Sequence, residues 1–485
     1  MVMGGANISI RIVTMVSSVW LMNRLEVADF GVVAGAMIVL CTTNLFAGLG
    51  LSFAVIQSQA DRGKVAFQSF VVTASLGIAL CIAIILNVDT FAALLGKPAV
   101  APLLQWLAPL VFFGGLSMVP EALMQKQMLF NRFSMIVMIA ELSYVGLALG
   151  FAYAGFGLWS LVYAALGKSF LTFVLDWIGT PGWEWITPKP WDRKLMRDLL
   201  SFGLRSTGGG LTTYVYSLID VISVTRWLGL TPLSYYQKSS EFTSRTVDSL
   251  NGVLSAVLLP SYAQIQSDRE RLARAYLKSL RLISFIIVPV TLGMMVMAPE
   301  LVATFLDPEW APMVMPFQVL CFAGMVKPLS ATTSVLFTST GHPGFNFRAG
   351  LVVIVALIPG IVLLMPPYGI VGVAVAVLLA QLTGFAFNLL QLRKIIPTAA
   401  RGMVPAIVPA LIASVAMILA VLLGKAAGGS AGVDLHVPGS VLALVSLGAV
   451  TYVISLYMMQ RALVREIADL MLARFRSKAA TTTEG

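Results

Sequence analysis

The chain has 485 residues, of which 58% are hydrophobic and only 11% are charged, and its formal net charge is +10. Soluble globular domains carry roughly 25% charged residues, so this composition, with a mean hydropathy of +0.89, excludes that class. It predicts an all-α polytopic membrane protein. The three cysteines and two histidines have no metal-ligand spacing, so we expect no metal site, no cofactor and no disulfide framework.

Apolar runs, separated by polar residues, glycine or proline, predict about fourteen transmembrane helices, since about 20 apolar residues are needed to cross a bilayer. An even number of spans places the two termini on the same side of the membrane. The predicted spans lie near residues 4–23, 30–56, 65–88, 100–121, 132–154, 157–178, 199–225, 233–261, 279–304, 311–338, 347–366, 368–392, 402–424 and 438–460.

The basic residues indicate the orientation of these spans. If the amino terminus is cytoplasmic, most of the 32 Lys and Arg residues fall in loops or tails on the cytoplasmic side. The opposite side then holds only Arg24, Lys97, Arg226 and Lys425. Cytoplasmic loops are enriched in basic residues, so we expect both termini to be cytoplasmic. This asymmetry explains the net charge better than a nucleic-acid partner, which we do not expect.

An internal repeat predicts the domain organisation. The motif Gly155-Phe156-Gly157-Leu158 corresponds to Pro367-Tyr368-Gly369-Ile370, about 210 residues later. A repeat unit of six spans gives two lobes of the same orientation, and transporters built in this way bind substrate between the lobes. We therefore predict two six-helix lobes in a parallel pseudo-repeat around a central cavity, followed by two extra helices. The predicted domains are 1–180 (first lobe), 181–198 (cytoplasmic linker), 199–394 (second lobe), 395–460 (two extra spans) and 461–485 (cytoplasmic amphipathic tail).

Two segments predict helices that lie on the cytoplasmic leaflet. Residues 267–270 have the pattern of a capping box, and Leu272, Tyr276 and Leu280 follow on one side of the helix that it would open. The tail has a similar amphipathic pattern. We expect a short surface helix at each place.

The seventh and eighth predicted spans contain ionisable side chains, which are costly inside a bilayer. Lys238, Glu241, Arg245 and Asp248 recur at steps of three or four, so they lie on one face of a helix. Such a stripe either lines a water-filled cavity or neutralises itself through i,i+3 and i,i+4 pairs, and both can hold at once. The seventh span has a similar face, which contains Arg205, Gly209, Thr212, Tyr216, Asp220 and Ser223.

Other intramembrane charges have fewer neighbours in the sequence. Glu141 and Lys168 are almost equally far from the Gly155 turn, so in an antiparallel hairpin they lie at one depth, and we predict a structural pair. Lys327 has no acidic residue nearby in the sequence, and such a cation binds an anionic ligand or a partner on another helix. Asp220 is a candidate for cation or proton coupling, and the alternative is a pair with a basic residue of another helix.

A series of short motifs runs in order through the first 390 residues. They are Arg24 to Gly31, Leu49 to Gln57, Gly155 to Val162, Leu199 to Gly203, Leu259 to Leu272, Ala298 to Val302, and Trp310. In this order they resemble the bacterial lipid-linked oligosaccharide flippases of polysaccharide biosynthesis, of the Wzx type, within the multidrug/oligosaccharidyl-lipid/polysaccharide exporter superfamily. The chain departs from the family's pattern at Val27-Ala28, where a proline followed by an acid is usual.

The resemblance implies a transporter of the bacterial inner membrane, not an enzyme. Its substrate would be an undecaprenyl-diphosphate-linked oligosaccharide, flipped to the periplasmic leaflet by alternating access and an ion gradient for exopolysaccharide or lipopolysaccharide biosynthesis. Membrane lipids, a polysaccharide polymerase and chain-length proteins would be its partners. Basic residues suit a diphosphate, so the candidate substrate-binding residues are Arg11, Arg205, Lys238, Arg245 and Lys327, and the candidate ion-coupling residues are Asp220, Glu241 and Asp248.

Other functions remain open at this point. A multidrug or cation antiporter of the same fold would need a compact pocket rich in acidic and aromatic residues. A membrane-embedded polymerase or glycosyltransferase would need acidic or histidine groups on a sizeable outer loop, and the predicted outer loops are short. A scaffold without transport activity is a third alternative.

Overall fold

The computed structural model describes residues 2–182, 185–342, 344–430 and 432–460. For residues 2–9, 45, 205–213, 248–257, 259–260 and 263 it describes only the backbone. The predicted tail, 461–485, lies outside the described residues. Within the described ranges the regular secondary structure is helical, with no β-strand, which confirms the all-α prediction.

Sixteen α-helices follow one another along the described chain. They are α1 (Val2–Met22), α2 (Val27–Gly48), α3 (Leu51–Gln57), α4 (Arg62–Leu86), α5 (Val88–Leu95), α6 (Ala101–Leu107), α7 (Pro109–Lys126), α8 (Phe130–Tyr153), α9 (Trp159–Gly179), α10 (Arg193–Ser223), α11 (Leu230–Gln264), α12 (Arg269–Phe305), α13 (Val314–Ser339), α14 (Gly344–Ile395), α15 (Pro397–Ser430) and α16 (Pro438–Met459).

Ten helical segments of the described residues are long and apolar enough to cross a membrane, so the chain is a multi-pass membrane protein. The helix α14 contains two predicted spans, because its 52 residues are interrupted at Gly369. The φ angle there is 56°, a left-handed conformation that glycine adopts without steric cost. The helices α1, α10 and α11 each contain residues whose side chains are not described, so the number of fourteen spans stays a prediction.

Aspartate side chains begin three of the helices. Asp61 accepts a hydrogen bond from the backbone of α4, and Asp192 does the same for α10. Asp268 accepts from the amides of Glu270 and Arg271 at 3.1 and 2.9 Å. Each cap satisfies a donor that the first helical turn leaves unpaired.

The prediction of a short surface helix after Asp268 is wrong. The helix that begins there is α12, which continues for 37 residues to Phe305. Leu272, Tyr276 and Leu280 are fully buried and belong to a hydrophobic core cluster. Their apolar face therefore packs against protein, and the amphipathic pattern reports that packing.

The contacts of the chain define two compact units. The first contains Met1–Arg245 and Gly350–Ala380, and the second contains Thr246–Ala349 and Gln381–Gly485. Leu40, Leu104 and Val162 are among the core residues of the first unit. The core of the second is built mainly on α12, α13 and α15. The predicted domain boundaries stay a prediction.

In the first unit, a backbone contact positions the start of α11. The Ser234 hydroxyl donates to the carbonyl oxygen of Val27 at 2.5 Å. A Cβ atom at Gly31 would collide with the carbonyl oxygen of Leu230, so only glycine allows α2 to come this close. The contact places the charged face of α11 beside α1 and α2.

Candidate functional site

The first unit contains a cavity of about 770 Å³, within the usual range of about 300–1,000 Å³ for ligand pockets. Seven helices form its wall: α1, α2, α7, α8, α9, α10 and α11. They come from both predicted lobes. The polar and ionisable residues of the wall are Thr14, Ser17, Ser18, Cys41, Ser117, Glu121, Glu141, Tyr144, Lys168, Ser169, Thr172, Tyr214, Ser217, Gln237, Lys238, Glu241 and Arg245.

One cluster of charges in the wall lies on α11. The Glu241 carboxylate is 2.9 Å from the Lys238 ammonium and also contacts the guanidinium of Arg245. Lys238 further donates to the Ser18 hydroxyl at 3.1 Å and lies 4.7 Å from the centre of the Phe30 ring. The stripe predicted on α11 therefore both lines the cavity and pairs with itself.

A third basic residue lies beside the α11 cluster. Arg11 of α1 donates to the carbonyl oxygen of Arg245 at 2.9 Å, which brings it close to Lys238 and Arg245. Guanidinium and ammonium groups are the usual protein ligands of phosphate, so this part of the wall offers donors for an anionic group.

A second pair of charges in the wall balances itself. The Lys168 ammonium of α9 lies 2.6 Å from the Glu141 carboxylate of α8. Both side chains are about one-third exposed, and the Tyr144 ring lies 5.8 Å from the ammonium. The pair contributes no net charge to the cavity.

The candidates for ion coupling are in different surroundings. Asp220 accepts a hydrogen bond from the Tyr236 hydroxyl at 2.5 Å and one from the backbone amide of Val221 at 2.8 Å, and it is absent from the cavity wall. Its described partners are thus a hydroxyl and an amide. Glu241 is held by two cations. The side chain of Asp248 lies outside the described residues.

Two of the candidate substrate-binding residues cannot be placed in this cavity. The side chain of Arg205 lies outside the described residues. Lys327 is on α13, in the second unit, and is half-buried. Their roles stay predictions.

Sequence reasoning missed two acidic residues of the first unit, Glu121 and Asp176. Glu121 of α7 lines the cavity, and Asp176 of α9 is only 1% exposed. Both lie close to the ends of predicted spans, where charged residues are common. The sequence contained one signal for Asp176. It follows Lys168 and Thr172 at steps of four, so it shares a helix face with an intramembrane charge.

Residues 21–315 match the profile of a family described as "Polysaccharide biosynthesis protein". This range covers more than half of the chain and includes most of the cavity wall. The chain belongs to this family. The match confirms the resemblance that the motifs indicated.

Two curated relatives of this family member have informative names. It is 24% identical over 370 residues to the lipopolysaccharide biosynthesis protein WzxC of Escherichia coli (strain K12), covering 73% of this chain and 72% of the relative. It is also 24% identical over 286 residues to the succinoglycan biosynthesis transport protein ExoT of Rhizobium meliloti (strain 1021), covering 58% of this chain and 57% of the relative.

The fold of this family member is similar to a solved transporter structure. The lipid II flippase MurJ in its inward closed conformation superposes with a TM-score of 0.78, over 96% of this chain and 99% of that chain. The two sequences are 15% identical, so the likeness shows the fold alone. It agrees with the predicted bundle of transmembrane helices around a cavity.

Proposed function

We propose that this protein flips undecaprenyl-diphosphate-linked oligosaccharides from the cytoplasmic to the periplasmic leaflet of the bacterial inner membrane. The products serve exopolysaccharide or lipopolysaccharide biosynthesis, and the protein acts as a transporter, not as an enzyme. The observation that carries this proposal is the cavity, whose wall contains Lys238 and Arg245 beside hydroxyl groups, in a multi-pass chain of the polysaccharide biosynthesis family. The names of WzxC and ExoT support the same substrate class.

The physical problem is that a sugar-diphosphate head group cannot cross hydrocarbon unaided, because burying its charges without partners is too costly. The cavity supplies hydroxyl groups for the sugars and basic side chains for the diphosphate. Lys238 and Arg245 contact the diphosphate from the wall, and Arg11 lies beside them; Arg205 and Lys327 complete the proposed set. Alternating access then exposes the head group to each side in turn, driven by an ion gradient.

The proposed setting has two further parts. Both termini are cytoplasmic, and a polysaccharide polymerase and chain-length proteins receive the flipped substrate. Thiol labelling tests the orientation after Cys41, Cys81 and Cys321 are replaced by serine. Ser267→Cys is then labelled only from the cytoplasm and Asp434→Cys only from the periplasm, and the reverse pattern contradicts the proposed topology.

Reconstitution tests the function directly. The purified protein is placed in liposomes with a fluorescent lipid-linked oligosaccharide, and a membrane-impermeant quencher measures how fast the substrate moves between leaflets. A hydrogen bond to a charged group contributes about 1.5–3 kcal/mol, which corresponds to roughly 10–100-fold in affinity. We therefore expect Lys238→Met and Arg245→Met each to slow transport of subsaturating substrate by at least about tenfold.

The matched control is Lys394→Met, since Lys394 is exposed at the end of α14. It removes one positive charge without touching the cavity and should leave the rate unchanged. Two results contradict the proposal: no protein-dependent flipping, or equal slowing by the control and the cavity variants.

One observation favours a second candidate function, a multidrug or cation antiporter. Glu121 puts a carboxyl group in the cavity wall, as a cation site would need. The same liposomes decide between the two functions when they are loaded with a cationic dye in place of the lipid. Protein-dependent dye transport without lipid flipping supports the antiporter.

A further inference from the structure

A pair of acidic side chains lies between α7 and α9, away from the α11 cluster. Asp176 is 1% exposed, and neither oxygen of its carboxyl group has a hydrogen-bond partner of normal geometry. Hydrogen bonds on either side of Asp176 hold this part of α9 against α7, since Trp177 donates to the carbonyl oxygen of Leu116 and Thr180 to that of Pro120, both at 3.3 Å. The side chains of Glu121 and Ser117, one turn apart on α7, face the Asp176 carboxyl group there. Both also line the cavity, so one residue separates the buried carboxyl group from the cavity.

The basic residues of α7 and α9 themselves are bound elsewhere. Lys126, at the end of α7, donates to the carbonyl oxygens of Val55 and Ser58 at 2.9 and 2.7 Å. Lys168 is paired with Glu141. Among the described residues, no ion pair joins a Lys, Arg or His to Glu121 or Asp176, and each acid has the other as its charged neighbour.

The other helices that pack against α7 and α9 carry three basic residues, none of which forms an ion pair with either acid among the described side chains. The helices α3 and α6 contain no ionisable side chain. Arg62 and Lys64 of α4 and Arg132 of α8 lie in the first turns of their helices. Asp29 lies in the first turn of α2. Glu141 of α8 is paired with Lys168, and the remaining ionisable side chains on these helices are cysteines and tyrosines.

Two carboxyl groups in such a place cannot both be charged. Burial disfavours the ionised form, and a like charge nearby disfavours it further. Adjacent carboxyl groups of this kind therefore share one proton, as in the aspartic proteases. A metal ion is a poorer occupant, because among the described residues no group of three or more His, Cys, Asp or Glu side chains is placed to hold one.

We propose that Glu121 and Asp176 form a proton-binding site that exchanges its proton with water in the cavity and couples proton movement to substrate transport. A polar face joins this site to the middle of the cavity, since Lys168, Thr172 and Asp176 recur at steps of four along α9. The coupling rests on the proposed transport function, whereas proton binding does not. This site replaces Asp220 as the first candidate for ion coupling, because the Asp220 carboxylate already has two donors.

Infrared spectroscopy of the purified protein in lipid nanodiscs tests proton binding without any substrate. At neutral pH the wild type should show the carbonyl-stretch band of a protonated carboxyl group, equivalent to about one proton per chain. Asp176→Asn should remove the band, because Glu121 alone faces water. Glu121→Gln should shift the band, because the neighbour of the buried carboxyl changes.

Asp89→Asn is the control, because Asp89 is an exposed acid on α5, and it should leave the band unaltered. Circular dichroism and size-exclusion chromatography verify that each variant is folded. If Asp176→Asn does not fold, the band shift in Glu121→Gln decides the question. Absence of the band in the wild type, or its loss when sodium chloride replaces choline chloride, overturns the proton site.

Liposomes that contain the lipid-linked substrate test the coupling. For the wild type, a proton gradient should raise the flipping rate severalfold. For Asp176→Asn, the flipping rates with and without the gradient should be equal. A gradient response that survives in Asp176→Asn overturns the coupling. If the wild type shows the infrared band but no flipping, the transport function is contradicted and the proton site stands. If it shows flipping but no band, the proton site is contradicted and the transport function stands.

Discussion

Glu241 holds the α11 cluster together, so its neutralisation is the most informative single change. The variant Glu241→Gln keeps the size of the side chain and removes its charge. Lys238 and Arg245 bind different oxygens of the carboxylate, Oε2 and Oε1, and Gln keeps only one of them, so one cation retains a neutral acceptor and the other loses its acceptor. The bond that remains is still strengthened by the charge of its donor, but the attraction between opposite charges is lost at both cations.

The structure sets the expected size of the effect. The Lys238 side chain is 12% exposed, and leaving a buried charge without its partner costs about 3–5 kcal/mol. The Gln oxygen still accepts a hydrogen bond, which lowers this figure. Arg245 is 37% exposed, so water screens it and its share is at most about 1 kcal/mol. We expect Glu241→Gln to lower the free energy of unfolding by about 2–4 kcal/mol.

The assay is unfolding by SDS in mixed micelles, followed by tryptophan fluorescence. The double variant Glu241→Gln, Lys238→Gln removes the stranded cation and should regain at least half of the lost stability, since replacing both partners of a buried pair is often neutral. Glu141→Gln is the control, because its pair is about one-third exposed and should lose only about 1 kcal/mol. A Glu241→Gln protein within about 0.5 kcal/mol of the wild type, or no recovery in the double variant, refutes the reasoning.

Three further changes should lower stability in the same assay. Tyr236→Phe should cost about 1–3 kcal/mol, because it removes the hydroxyl that donates to the half-buried Asp220 at 2.5 Å; an unchanged unfolding curve would count against that bond. Gly31→Ala should cost about 1–3 kcal/mol, because the added Cβ atom collides with α11. Gly150→Ala is the control and should cost nothing, because no heavy atom lies within 4 Å of a Cβ atom at that position. Equal effects of the two variants would contradict the backbone contact. Lys425→Met should cost about 3–5 kcal/mol, because it strands a carboxylate on α12 that is 10% exposed; a loss below about 1 kcal/mol would mean that water reaches the pair.

Periodicity predicted the α11 face well, because helix geometry alone decides which residues of one helix share a side. Lys238, Glu241 and Arg245 were expected on one stripe, and the structure places them there in mutual contact. The membrane-protein class followed from composition for a similar reason: the length and polarity of each apolar run are local properties.

Contacts between distant segments were beyond the reach of spacing rules. The Tyr236 partner of Asp220 lies across a turn on the next helix, and nothing in the sequence selects a tyrosine over a basic residue. Glu121 and Asp176 meet only when α7 packs against α9. The wrong prediction of a short surface helix at the start of α12 had a different cause. An amphipathic face that packs on protein has the same period as one that lies on lipid, so the pattern alone does not distinguish them.

The meeting of α2 and α11 at Gly31 has a mechanical consequence. There the main chain of α11 occupies the space that a side chain on α2 would need, and the Ser234 hydroxyl bonds the two helices to each other. A movement that separates α11 from α2 at this point has to break that bond. A single methyl group added at Gly31 would instead hold the two helices apart permanently.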